Sequence, residues 1–137
     1  EGFFMNFITL YGKEKPVRNP HRYKIKWNGK CRSKFQRTVR SYLYKHWRYD
    51  AVYEEFKVAG TQLTLDFYNH TKKIAIEVQG AQHLKFVKHF HKTRANFVRQ
   101  IRRDNKKMEF CELNEINLIE IYPDDELSEE YFENLLG

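Results

Sequence analysis

From Ser33 onward apolar side chains recur every fourth position. Phe35, Val39, Leu43 and Trp47 fall on one helical face, with Arg37, Arg40, Lys45 and Arg48 largely elsewhere. Ser33 is the predicted N-cap. The pattern then changes. "AVYEEFKV", "QLTLDFYN" and "KKIAIEVQ" are short β-rich runs separated by Ala59-Gly60 and by "NHTKK", which predicts three strands joined by tight turns in an antiparallel meander. A basic, aromatic segment follows, "LKFVKHFHKTRANFVRQIRRDNKKMEFCELN", in which Phe97, Ile101 and Met108 predict a helix facing a core. "INLIEIYP" reads as a fourth strand ended by Pro123, and "SEEYFENLLG" as a short acidic helix with Ser128 as N-cap and Gly137 past its end. A helical crossover between the third and fourth strands makes them parallel, so the predicted fold class is α/β, a mixed sheet of about four strands flanked by helices.

The stretch before Ser33 breaks this regularity. An aromatic run, "FFMNFITLYG", leads into "KEKPVRNPHRYKIKWNGK", with two of the three prolines and several bases. We read residues 1–32 as a basic, ordered or partly ordered arm and residues 33–137 as the main unit of a single domain, with no internal repeat or low-complexity segment. A chain of 137 residues with 41% hydrophobic and 16% aromatic content is enough for one core. The opening "EGFFMNF" is too short and too polar at its flanks for a signal peptide or a membrane span, so the expectation is a soluble, intracellular chain, compatible with an excised domain.

Charge narrows the choice of partner. All 25 Lys and Arg lie in residues 1–107, and the last 30 residues carry ten acids and no base, within a net charge of +7. That asymmetry suits a polyanion, because each base that neutralises a phosphate releases a counterion. Cys31 and Cys111 are far apart and lack a CxxC or HxxxH partner, which predicts two reduced thiols and neither a disulfide framework nor a zinc site. His89 and His91, close after His83, read as solvated surface or phosphate contacts.

The polar residues inside the predicted strands carry the chemistry. Asp66 follows "LTL" on the second strand, and Glu77 and Gln79 stand two apart on the third, so the latter pair shares a face and can meet Asp66 if the strands are hairpin partners. Carboxylates with amide or carbonyl oxygens form a hard-oxygen site suited to Mg²⁺, and a divalent cation would offset the burial of charge in an apolar run. His83, beyond Gly80, is placed to act as a general acid or base. Asp104 either orients that imidazole or neutralises a basic helix. Each residue also has a plainer role: Glu77 as a salt-bridge partner for Lys72 or Arg102, His83 as a loop histidine, Asp66 as a turn former.

"LTLDFYN", then "KKIAIEVQGAQH", then "RRDNKKMEFCELNEINLIEIYP" resembles the PD-(D/E)XK nuclease superfamily, in the branch of the very short patch repair endonucleases and the EDxHD homing endonucleases of phages. The resemblance spans residues 33 to about 123. It implies a restriction-endonuclease-like core in which Asp66, with Glu77 and the main-chain carbonyl of Val78, holds Mg²⁺, or Mn²⁺ as a substitute. Gln79 would position water, His83 would handle the proton, Asp104 would be the last acid of the motif, and Lys107 would contact the scissile phosphate. One departure is evident: where the family has a glutamate on the first helix, "SKFQ" places Gln36. Either Gln36 serves in a weaker role, or Glu54 or Glu55 substitutes, or a Glu→Gln change has disabled the site.

The expectation is therefore a Mg²⁺-dependent endonuclease domain of a phage homing endonuclease or related mobile element, in the cytoplasm or nucleoid of a bacterial or phage-infected cell. Double-stranded DNA is the expected partner and a homodimer a possible assembly, with no membrane and no small-molecule cofactor. Arg18, Arg22, Lys24, Lys26, Lys30, Arg32, Lys34 and Arg37 are the expected phosphate binders on the arm and first helix, joined by Lys85, Lys88, Lys92 and Arg94 after the active-site turn. Trp27, Tyr23 and Phe86 are candidate base wedges. The rivals are a catalytically weakened nucleic-acid-binding module on the same fold and an RNA-processing enzyme.

Overall fold

The computed structural model describes residues 5–79 and 94–137. Its first helix, α1 (Lys34–Trp47), begins where the sequence places it: the Ser33 hydroxyl accepts the Gln36 N–H at 3.1 Å. Val39, Leu43 and Trp47 are fully buried along its inner face. Arg40, expected away from that face, is also buried. Its guanidinium donates to the carbonyls of Lys26 and Gly29 and pairs with Glu54 at 3.3 Å, fastening the loop before α1 to the sheet.

Three strands follow as an antiparallel meander: β3 (Val52–Lys57), β4 (Thr64–Asn69) and β5 (Ile74–Val78). The chain then crosses through α2 (Arg94–Leu113) to β6 (Asn117–Ile121), which lies parallel to β5 with Glu77 opposite Glu120. The sheet order is β3-β4-β5-β6. The helix α3 (Glu129–Leu136) closes the chain, capped by the Ser128 hydroxyl on the Tyr131 N–H. The α/β class, the mixed sheet and its flanking helices are those expected.

Each face of the sheet has its own core. Val52, Phe67, Ile76 and Ile121 point to α1 and α3, meeting Leu43, Trp47 and Phe132. Tyr53, Tyr68 and Ala75 point the other way, to Phe110 and Cys111 of α2. The inner stripe of α2 is thus Lys107, Phe110 and Cys111, spaced i, i+3, i+4, and it continues onto Asn114 just past the helix end. The expectation for Ile101 and Met108 is corrected: both are exposed, because the face toward the sheet begins with a lysine that reaches a buried acid. The side chain of Phe97 lies outside the described residues.

The N-terminal arm carries structure that the sequence reading lacked. Strands β1 (Asn6–Ile8) and β2 (Glu14–Pro16) pair as an antiparallel hairpin, followed by a 3-10 turn over Pro20–Tyr23. Met5 and Phe7 are buried against the α2 side of the sheet, where the Phe7 ring meets Phe56 at 5.8 Å and Phe110 at 5.5 Å. Burial of one such phenylalanine contributes about 1.5–3 kcal/mol, enough to hold a short hairpin that would not persist alone. Farther on, Lys24 bridges to Tyr53 and the Ile25 N–H donates to the Val52 carbonyl, which lays the arm along the β3 edge. Both cysteines are free, Cys111 buried and Cys31 half-buried. Among the described residues no helix is long and apolar enough to cross a membrane.

Candidate active site

The sheet departs from regular pairing at one level. Between the pairs Glu54–Phe67 and Phe56–Leu65 the β3–β4 ladder skips Glu55 and Asp66, which stand opposite each other there. Glu55 has φ of 51°, a left-handed conformation that costs a non-glycine residue about 1 kcal/mol or more. The β4–β5 ladder likewise stops at Phe67–Ile76, one step short of Asp66 and Glu77. On the far side Glu77 is in register with Glu120. Four acids, one from each strand, therefore lie in a row across the sheet.

Asp66 and Glu77 fill the gap left by the ladder. The Asp66 N–H donates to Glu77 Oε2 and the Val78 N–H donates to Asp66 Oδ2, each at 2.7 Å. Two strand amides are thereby satisfied by carboxylates of the opposite strand. Lys107, reaching down from α2, places Nζ 2.7 Å from Glu77 Oε1. The predicted partners of Glu77 are corrected by this contact, since Lys72 instead pairs with Asp50 at 2.7 Å and Arg102 is exposed on α2.

Burial governs the protonation of the pair. Asp66 is 8% exposed and Glu77 6%. Loss of hydration, then the charge of Glu77 and that of Glu55, pushes the Asp66 carboxyl up to about 7 against the pull of the Val78 amide and Lys107. Glu77 is also raised, chiefly by burial; Lys107 opposes this and the nearby Asp104 adds to it. Lys107 compensates only part of the pair's charge, and the hard oxygens fit a divalent cation. Val78, the third expected ligand, brings its peptide alongside through its N–H on Asp66. Among the described residues no three His, Cys, Asp or Glu side chains are gathered as a ready metal cage.

Gln79 shares the face of Glu77 and turns its amide to Glu120 Oε2 at 3.0 Å; the Tyr122 hydroxyl donates to Glu120 Oε1 at 2.8 Å. Glu120 and Tyr122 were missing from the sequence reading. The signal was there, because "NLIEI" repeats the apolar-flanked glutamate of "IAIEV", but only the parallel register sets the two side by side. Gln36 is 3% exposed, and its Nε2 donates to Glu54 Oε2 at 3.0 Å and to Glu55 Oε2 at 3.2 Å. Glu54 is further tied to Arg40 and Cys31, and Glu55 to Arg32 at 2.9 Å.

The remaining candidates divide. Asp104 is half-buried on α2, one helical turn before Lys107, and its charge is felt by Glu77 and Tyr122. His83, Lys85, Lys88 and Lys92 lie outside the described residues, as does the side chain of Arg94. Arg18, Arg22, Lys24, Lys26, Lys30, Lys34 and Arg37 are all exposed, and Arg32 is exposed while paired with Glu55.

The geometry defines a mixed-sheet α/β domain with two buried carboxylates at the centre of its sheet, each accepting a backbone N–H of the opposite strand, and a helix lysine on one of them. No family model matches the chain, and no solved structure matches it. It is similar to two viral proteins: "Uncharacterized protein 307L" of Invertebrate iridescent virus 6, 42% identical over 59 residues, and "Uncharacterized protein 094L" of Frog virus 3 (isolate Goorha), 43% identical over 63 residues. Those stretches cover 43% and 45% of this chain, but only 30% and 41% of the viral proteins.

Proposed function

We propose that this chain is a Mg²⁺-dependent DNA endonuclease domain of the PD-(D/E)XK type, hydrolysing phosphodiester bonds. The observation that carries the reading is the meeting, from three separate elements, of Asp66 and Glu77, at two motif positions the resemblance implies, with Lys107, the lysine expected at the scissile phosphate one helical turn beyond Asp104. The charge of the chain, basic through residue 107, supports a polyanionic substrate.

Asp66, Glu77 and the Val78 carbonyl would hold the cation, which when bound polarises a phosphoryl oxygen and lowers the pKa of water. Lys107 Nζ, already at the carboxylates, supplies positive charge where a scissile phosphate would sit. His83 moves the proton, Gln79 orients water from the Glu120 side, and Asp104 adjusts His83. The wider setting, a phage or mobile-element homing endonuclease acting on double-stranded DNA in an infected cell, belongs to the same proposal; the two similar proteins are viral.

A plasmid cleavage assay with Mg²⁺ tests this, with Asp66→Ala and His83→Ala as the deciding variants. Cleavage that persists in either one sinks the assignment. A second reading, a binding module with a weakened site, is favoured by one observation: the helix position of the family glutamate is Gln36, and its amide is engaged by Glu54 and Glu55. It predicts salt-dependent DNA binding without cleavage, even after Gln36→Glu. Parallel DNA and RNA substrates separate the RNA-processing alternative.

A further inference from the structure

A cavity of about 640 Å³ lies away from the carboxylates, between the N-terminal hairpin and the β3–β4 turn. Lys15, Arg18, Arg22 and Lys57 line it, and no acid does. Among the described residues none of these four takes part in an ion pair. Its wall is fixed: the Tyr23 ring packs edge-on to buried Phe56 at 5.5 Å, and the Arg22 guanidinium lies over Tyr23 at 5.0 Å. Four cations around one hollow repel each other until an anion enters.

Neighbouring hollows share its lining residues. Arg22 and Tyr23 also line a second hollow, of about 350 Å³, bounded by Lys24, Lys26, Lys30, Glu54 and Glu55 among others. Gly29 and Lys30 carry it into a third, of about 410 Å³, which reaches Arg37 on α1. The result is a basic groove along the β3 edge that passes the outer end of the carboxylate row. Lys57 is two residues along β3 from Glu55, about 7 Å at the ~3.4 Å rise of a strand, so the cavity opens beside the outer end of the acid row.

The geometry points to a phosphate-anchoring subsite, built from Lys15, Arg18, Arg22 and Lys57, that grips the sugar-phosphate backbone of a duplex flanking the position acted on by Asp66 and Glu77. This rests on the nuclease reading and adds to it the path of one strand, with Lys15 and Lys57 as contacts that the sequence did not single out. The groove's cations are spread over hollows that share lining residues along the β3 edge, a spacing that suits a run of backbone phosphates better than one headgroup plane.

The test is the binding of a fluorescein-labelled 20-base-pair duplex, followed by anisotropy in EDTA across a salt series, for the wild-type chain and for Lys15→Ala/Lys57→Ala. Each phosphate contact contributes about 0.9 to the slope of log K against log salt, so loss of both lowers the slope by about 1–2 and weakens binding about tenfold or more at low salt. Arg18→Gln is expected to weaken it in the same sense, and Lys45→Ala, which pairs with Glu129 away from the groove, to leave it unchanged. An unchanged slope in the double variant, with its thermal midpoint preserved, overturns the subsite. So does a double variant that loses binding to phosphatidylserine vesicles while retaining duplex binding. Because binding is read in EDTA and cleavage separately in the Mg²⁺ plasmid assay, wild-type binding with no cleavage in Mg²⁺ counts against the nuclease reading alone, whereas Mg²⁺-dependent cleavage with an unchanged slope counts against the subsite alone.

Discussion

Asp66→Asn is expected to stabilise the protein. The asparagine keeps an oxygen to accept the Val78 N–H, and it removes a charge that burial and Glu77 make unfavourable. A carboxyl whose ordinary value is 3.8 and whose folded value is about 7 must be ionised at pH 8 against that difference. At about 1.4 kcal/mol per pH unit the ceiling is about 4 kcal/mol. Part of the relief goes to Glu77, which then titrates beside a neutral neighbour, so the expected gain is about 2–4 kcal/mol in EDTA.

The sign fixes the pH dependence. Between about pH 4 and pH 7 the folded chain holds a proton that the unfolded chain has lost, so wild-type stability falls as pH rises through that window. Below pH 4 the carboxyl is protonated in both states and the difference disappears. Urea denaturation followed by tryptophan fluorescence at pH 5 and pH 8 measures it: the variant's advantage is largest at pH 8 and shrinks toward pH 5. Mg²⁺ is expected to raise the wild-type midpoint at pH 8 more than the variant's, by an amount that follows RT ln(1 + [Mg²⁺]/Kd). A variant destabilised equally at both pH values would refute the reasoning, because Asp66 would then contribute as a structural acceptor and not as a strained charge.

Lys107→Met removes the ammonium partner of Glu77 and is expected to cost about 2–4 kcal/mol at pH 8 and less as the pH falls, because burial already raises the Glu77 carboxyl; the same denaturation series reads it. Gln36→Glu deletes two donated hydrogen bonds and sets a third carboxylate against Glu54 and Glu55, which lowers stability by about 2–4 kcal/mol, with the loss read from the urea midpoint. The Cys111 thiol, pushed up to about 12 by burial, is expected to resist a thiol reagent at pH 8 until the chain unfolds; mass spectrometry of the folded protein is expected to show Cys111 unmodified, and Cys31, also raised by burial and by Glu54, slow to react.

What could be read from the sequence follows from where packing obeys a local period. The stripe of Val39, Leu43 and Trp47 and the strand runs of the sheet are set by contacts that repeat every four or two residues, and both were legible. The hairpin of β1 and β2 was not, because three-residue strands carry almost no periodicity and the pairing is stabilised by one distant contact set around Phe7. The inner face of α2 was misread for a different reason. Its stripe opens on Lys107, whose partner is Glu77 thirty residues earlier, so an apolar template selected Ile101 and Met108 instead. Asp66 and Glu77 stood out as acids flanked by apolar residues, whereas Glu120 needed the register of a parallel pair.

The row of four acids explains why Asp66 deserves the first variant. Glu55, at the β3 end, receives Arg32, Gln36 and Thr64. Glu120, at the β6 end, receives Gln79 and Tyr122. Glu77 has the Asp66 amide and the Lys107 ammonium. Asp66 alone has a single donor among the described residues, the Val78 amide, and it sits between two other acids. The surrounding donors therefore hold its neighbours in place while leaving the uncompensated charge on one carboxyl, at the level where both flanking ladders break and Glu55 adopts its left-handed backbone. Local irregularities that coincide with an unfavourable charge are the pattern expected of a site that keeps stability in reserve for a ligand. A cation at Asp66 would relieve the largest share of that cost, which is why its binding and the protonation of Asp66 must oppose each other near neutral pH.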